Sequence, residues 1–193
     1  MDVEHFWDLM EQARDRAADG TDPTDATDAS EATDATDAEA IARQATALLA
    51  AHEPRQILDA QQILWDLMAA SYQAPLWAAA YLVNGGCSDD GFDYFRGWLI
   101  TQGRTTFERV VADADQLAEL PVVRAAAAEL LELECEETLG IAWNAYRTAT
   151  GTELPGGSFT INYPALDAAW NFDFEDHGRI AAHLPRIAAL CLD

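Results

Sequence analysis

The densest run of chemistry-bearing residues lies between Gly85 and Arg104. It reads Gly85-Gly86-Cys87-Ser88-Asp89-Asp90, followed by Asp93, Arg96 and Arg104. A thiol just ahead of a helix start feels the helix dipole, which favours its thiolate. Asp89 and Asp90 act in the opposite sense, because each disfavours a second negative charge. Ser88 suits an N-cap, and carboxylates in the first turn complement the dipole. Asp93 and Arg96 have the i, i+3 spacing of an ion pair on one helix. Arg96 and Arg104 are two of only eleven cations in the chain. Asp89, Asp90, Arg96 and Arg104 are therefore expected either to line a cleft for a small polar ligand or to form an ion-pair network that fixes the turn. On the same helix Phe92, Phe95 and Leu99 share the core-facing arc, with Trp98 beside it. Gly97 leaves a bare spot below Asp90, open to another helix or a ligand.

Composition removes several rival chemistries. The 193 residues include no lysine; all eleven basic residues are arginine. That excludes a Walker A loop, a kinase site, a pyridoxal Schiff base and a Ser-Lys hydrolase for this chain alone. Cys87, Cys135 and Cys191 are widely spaced and odd in number, against a disulfide framework or a structural zinc site. Gly156-Gly157-Ser158 lacks the closing glycine of a nucleophile elbow. Glu129, Glu132 and Glu136 fall on one face of an expected helix, but no histidine joins them, so they read as solvated acids. No metal site and no cofactor are expected.

The net charge is −23. Such a field repels phosphate backbones and anionic lipid, so neither nucleic acid nor membrane is expected as a partner; basic proteins and cations are favoured. A high-GC or salt-adapted host composition produces the same bias. No apolar run approaches the ~20 residues of a membrane span, and Met1–Phe6 lacks a secretory pattern. The expected location is the cytoplasm.

The elements that must carry the Gly85–Arg104 run are helical. Apolar spacing predicts helices at 2–18, 37–52, 54–72, 75–83, 88–101, 105–112, 121–149 and 174–184. Asp2, a Thr36-x-x-Glu39 capping box, Pro54, Pro75, Ser88 and Pro121 mark their starts. Residues 19–37 form a near-triplet Thr-Asp-Ala repeat, expected to be a disordered acidic insertion. Residues 159–173 read as irregular, with Phe159, Ile161, Tyr163 and Trp170 packing on the bundle. The expected fold is all-α: one compact domain of seven or eight helices, with 19–37 as a loop within it.

The stretch Leu76-Trp77-Ala78-Ala79-Ala80-Tyr81, Gly85-Gly86-Cys87-Ser88-Asp89-Asp90-Gly91-Phe92, Tyr94-Phe95-Arg96-Gly97-Trp98-Leu99-Ile100 and Gly103-Arg104 resembles a bacterial, largely actinobacterial, domain-of-unknown-function family. The likeness extends over most of the chain, through Phe6-Trp7 and Tyr146 to Gly151. The Thr-Asp-Ala insertion looks longer than is usual there. The resemblance implies no activity and no catalytic residue. Three functions remain: a non-catalytic binding or regulatory module with a protein partner, using the Gly85–Arg104 hairpin; an enzyme with a carboxylate–arginine site using Mg²⁺ or Mn²⁺; or an acidic mimic that occupies a basic protein surface.

Overall fold

In the computed structural model, which describes residues 1–20 and 34–192, the chain is all-α, and the described residues contain no strand. Most of the local start signals act as expected; the Thr36 capping box does not. Asp2 accepts from the His5 backbone N–H and starts α1 (Val3–Asp19), which buries Phe6, Trp7, Leu9, Met10 and Ala13. Most of the Thr-Asp-Ala repeat lies outside the described residues, and α2 (Asp34–Leu49) begins ahead of the expected Thr36 cap. Prolines sit in the first turns of α3 (Pro54–Ala70), α4 (Ala74–Val83), α7 (Pro121–Glu129) and α10 (Pro185–Cys191), where a missing N–H costs nothing. Gly85 and Gly86, at φ 65° and 139°, make the turn from α4 into α5 (Asp89–Thr101).

α5 is the hub. It packs against α2, α3, α4, α6 (Arg104–Ala112) and the 3₁₀ helix Glu136–Gly140. Phe92, Phe95, Trp98 and Leu99 are fully buried, as their shared arc requires. α1 lies on α2, and α8 (Ile141–Thr150) packs on both α2 and α3. On the other side α10 packs on α4, α9 (His177–His183) and the 3₁₀ helix Ala114–Glu119. Asp115, buried in that 3₁₀ helix, accepts from the backbone N–H groups of Arg186 and Ile187 and from the Arg186 guanidinium, so it caps α10 from 71 residues away.

Three expectations need correction. The described residues hold ten α-helices and three 3₁₀ helices rather than seven or eight helices. The expected 121–149 helix is two, α7 and α8. Leu130 adopts a left-handed conformation (φ 57°) and ends α7. Beyond it, Leu131-Glu132-Leu133-Glu134-Cys135 runs non-helically beside α5, with Leu133 and Cys135 buried and Glu132 exposed. The two-residue alternation wins, with Leu133 and Cys135 in the core and the segment's backbone bonded to α5 and to Asn84. The Leu133 N–H donates to Asn84 Oδ1 (3.0 Å) and the Cys135 N–H to the Tyr94 carbonyl (3.0 Å). The Cys135 carbonyl lies directly on Gly97, so the bare spot on α5 receives backbone. Ile161 is also corrected: it is exposed rather than packed on the bundle.

A methyl group at Gly97 would collide with the Cys135 carbonyl oxygen. Gly97→Ala is expected to cost about 2–3 kcal/mol of stability, read as a lower urea midpoint. An unchanged midpoint would show that the 131–135 segment is free to move off α5.

Candidate functional site around Arg96

The structure separates the residues that the sequence groups together. Ser88 Oγ accepts from the Gly91 N–H (3.1 Å) and starts α5, which leaves Asp89 and Asp90 exposed on its first turn. Among the described residues neither forms an ion pair. Arg104 opens α6 instead, at the far end of α5, where it binds Glu4 and Glu108. Thirteen residues of α5 at ~1.5 Å each put about 20 Å between its two ends. A cleft combining Asp89, Asp90, Arg96 and Arg104 therefore does not form.

Arg96 and Asp93 do meet, in a setting the spacing alone does not reveal. Arg96 is 0% exposed. Its Nε donates to the Phe92 carbonyl (3.3 Å), one Nη to the Met68 carbonyl, and the other to Asp93 and to the Tyr163 hydroxyl (3.5 Å). Every guanidinium nitrogen thus has an acceptor. The rings of Phe92, Tyr163 and Tyr72 lie 4.6, 5.0 and 5.1 Å from its central carbon, within reach for cation–π attraction. Tyr72 and Tyr163 stack on each other at 4.5 Å, and Trp77 stacks on Phe92 at 4.7 Å. Burial pushes the Asp93 carboxyl above its usual range, against the opposing pull of Arg96.

Such an arginine is a structural clamp. An arginine that recognises an anion needs accessible N–H groups, and this one is fully buried with four of its five already bonded. Cys87 is likewise unsuited to nucleophilic work. Burial pushes its thiol up to about 12, and Glu134 and Asp89 push the same way while Arg96 opposes them. Its carbonyl accepts from the Trp77 indole (3.2 Å), so the residue serves the turn. Glu129, Glu132 and Glu136 are dispersed over α7, the extended segment and a 3₁₀ helix. Among the described residues no three His, Cys, Asp or Glu side chains are placed to hold a metal.

Sequence reasoning missed Tyr72, Tyr163 and the Met68 carbonyl. Met68 stands 28 residues and Tyr163 67 residues from Arg96, and no periodicity reaches that far. Missed too is the acid cluster around Tyr94. Glu136, in hydrogen-bond contact, most strongly raises the Tyr94 phenol, with Asp90 and Glu134 adding to the shift.

Two outcomes test this reading. Asp93→Leu leaves the guanidinium buried without its counter-charge and is expected to cost about 3–5 kcal/mol, whereas Arg96→Met combined with Asp93→Leu removes both charges and should recover much of that loss. Equal losses in urea titrations of the two variants would mean that charge pairing is not what Arg96 contributes. A thiol titrating near 12 is almost wholly protonated at neutral pH. Cys87 should therefore react with iodoacetamide at least about a hundredfold more slowly than free cysteine at pH 8, and speed up only in strong alkali. Mass-spectrometric peptide mapping reads the rate.

No curated protein and no solved structure matches the chain. A family model described as "Protein of unknown function (DUF4240)" matches residues 1–148. That span includes Tyr72, Trp77, Cys87, Phe92, Asp93 and Arg96, and it stops within α8, ahead of Phe159 and Tyr163. Covering well over half of the chain, including the whole of the hairpin, the match shows that this protein belongs to the DUF4240 family.

Proposed function

We propose that the chain is a non-catalytic binding module that presents the acidic start of α5 to a basic protein segment. The carrying observation is the contrast within the hairpin. Its one nearby cation, Arg96, is buried with an acceptor for every guanidinium nitrogen, while Asp89 and Asp90 stand exposed without an ion-pair partner among the described residues. Glu134 and Glu136 extend this surface around Tyr94. Unpaired carboxylates at a helix start gain little from one another, and a basic segment relieves their repulsion. The Cys87 thiol, raised by burial, adds no nucleophile to the surface.

The test must separate a local surface from the general field of a −23 chain. The probe is a fluorescently labelled arginine-rich peptide, followed by anisotropy at physiological salt. Asp89→Asn with Asp90→Asn should raise Kd by about tenfold, equivalent to ~1.4 kcal/mol. Asp8→Asn with Asp66→Asn, which removes the same charge elsewhere, should change Kd less than about twofold. Equal weakening by the two pairs would reduce the binding to bulk charge and end the proposal.

A further inference from the structure

A cavity of about 470 Å³ lies between α3, the 3₁₀ helix Glu136–Gly140, α8 and the segment that carries Phe159. Its size falls in the ordinary range for small-molecule sites, about 300–1,000 Å³. Gln61, Trp65, Glu136, Glu137, Trp143 and Phe159 line it. The segment that forms one wall is pinned. Gln62 Oε1 accepts from the Thr160 N–H (2.8 Å), and Gln62 Nε2 donates to the Thr160 carbonyl (3.2 Å). Beside this pair of hydrogen bonds Phe159 lies parallel to Trp65, 4° between ring planes and 6.1 Å between centroids.

Of the four buried side-chain atoms without a hydrogen-bond partner among the described residues, two belong to residues that line this cavity. Gln61 is 3% exposed, yet its Oε1 accepts no hydrogen bond. The buried Trp65 Nε1–H donates none. An unpaired buried polar atom is destabilising, and here an acceptor and a donor are left unpaired on two residues of the same cavity lining. Exposed Glu136 and Glu137 stand at it without an ion-pair partner among the described residues. Glu136 also lies in hydrogen-bond contact with Tyr94, and Cys135 Sγ approaches Glu137 at 3.8 Å. Arg43 and Arg147 line a neighbouring depression that shares Glu137 and Asn144, with Arg147 held by Asn144 and Arg43 by Glu39.

We propose that this cavity binds a small organic cation with a planar guanidinium head and a separate oxygen acceptor. The head group supplies donors to Gln61 Oε1 and the glutamates, and a flat face for the Trp143 and Trp65 rings. The acceptor receives the Trp65 N–H. Glu136 borders both this cavity and the hairpin surface, but Asp89 and Asp90 do not line the cavity, so the Asp89→Asn, Asp90→Asn pair tests the hairpin reading without touching this site.

The full chain is titrated calorimetrically with L-arginine, agmatine and L-citrulline, with tryptophan fluorescence as a second readout. L-Arginine carries head group and carboxylate, agmatine lacks the carboxylate, and citrulline lacks the charge. A bulk acidic field ranks doubly charged agmatine first. The site ranks L-arginine first, by about fivefold or more over agmatine and about tenfold or more over citrulline. Trp65→Phe keeps the ring, loses the N–H, and should abolish the preference for L-arginine over agmatine. Gln61→Leu should leave or raise Tm, since it deletes an unsatisfied group, while weakening L-arginine by about tenfold. Tighter binding of Nα-acetyl-L-arginine amide than of L-arginine assigns the head group to a peptide, and the reverse assigns it to a free amino acid. No saturable binding of either, agmatine ranked first, or full affinity retained in Gln61→Leu and Trp65→Phe would overturn the proposal.

Discussion

A guanidinium with no access to water must find an acceptor for each of its nitrogens, and the middle of this protein is arranged around that demand. Arg96 reaches the Met68 carbonyl in the last turn of α3, where helix geometry leaves carbonyls unpaired and the dipole favours a cation. It reaches Asp93 on its own helix and Tyr163 in the 152–176 segment. One side chain thus ties the end of α3, the first half of α5 and a stretch of chain with little regular structure of its own. The rings of Tyr72, Phe92 and Tyr163 surround it and close it to solvent. Removing any one member leaves the others with unpaired charge or open surface, so the cluster specifies the local fold more strongly than its net energy suggests.

The same economy of cations shapes the outside. Several arginines are engaged within the fold: Arg96 with Asp93, Arg104 with Glu4 and Glu108, and Arg186 with Asp113, Asp115 and Glu119. The carboxylates left over face water, and Asp89, Asp90 and Glu136 are among them. The field of such a surface repels anions and attracts cations. Four buried side-chain atoms of the described residues lack a hydrogen-bond partner, Gln61 Oε1, Trp65 Nε1, Trp98 Nε1 and Ser158 Oγ, and the first two belong to residues that line one cavity.

The break at Leu130 shows how two readings of one segment compete. Helical spacing across 121–149 is strong at both ends, and Ala-rich Val123–Ala128 is a good helix former. The Leu-Glu-Leu-Glu-Cys stretch carries a two-residue alternation as well, and single-chain periodicity gives no rule for choosing between them. The choice is made by α5, whose Gly97 admits the Cys135 carbonyl, and by Asn84, which bonds the Leu133 N–H. Both lie more than 30 residues earlier.

Much of the fold was written locally. Asp2 and Ser88 as caps, prolines in the first turns of α3, α4 and α7, glycines at the α4–α5 turn, the Phe92–Phe95–Leu99 face and the Asp93–Arg96 pair all follow from spacings of a few residues. The grouping of Arg104 with the acids failed because nearness in sequence is not nearness in space: thirteen helical residues form a rod that carries its ends apart. The aromatic cage of Arg96, the capping of α10 by Asp115 and the cavity between Gln61 and Phe159 belong to tertiary structure alone. Each joins residues on different elements, and which helix faces meet is decided by how the whole set of apolar faces is buried at once.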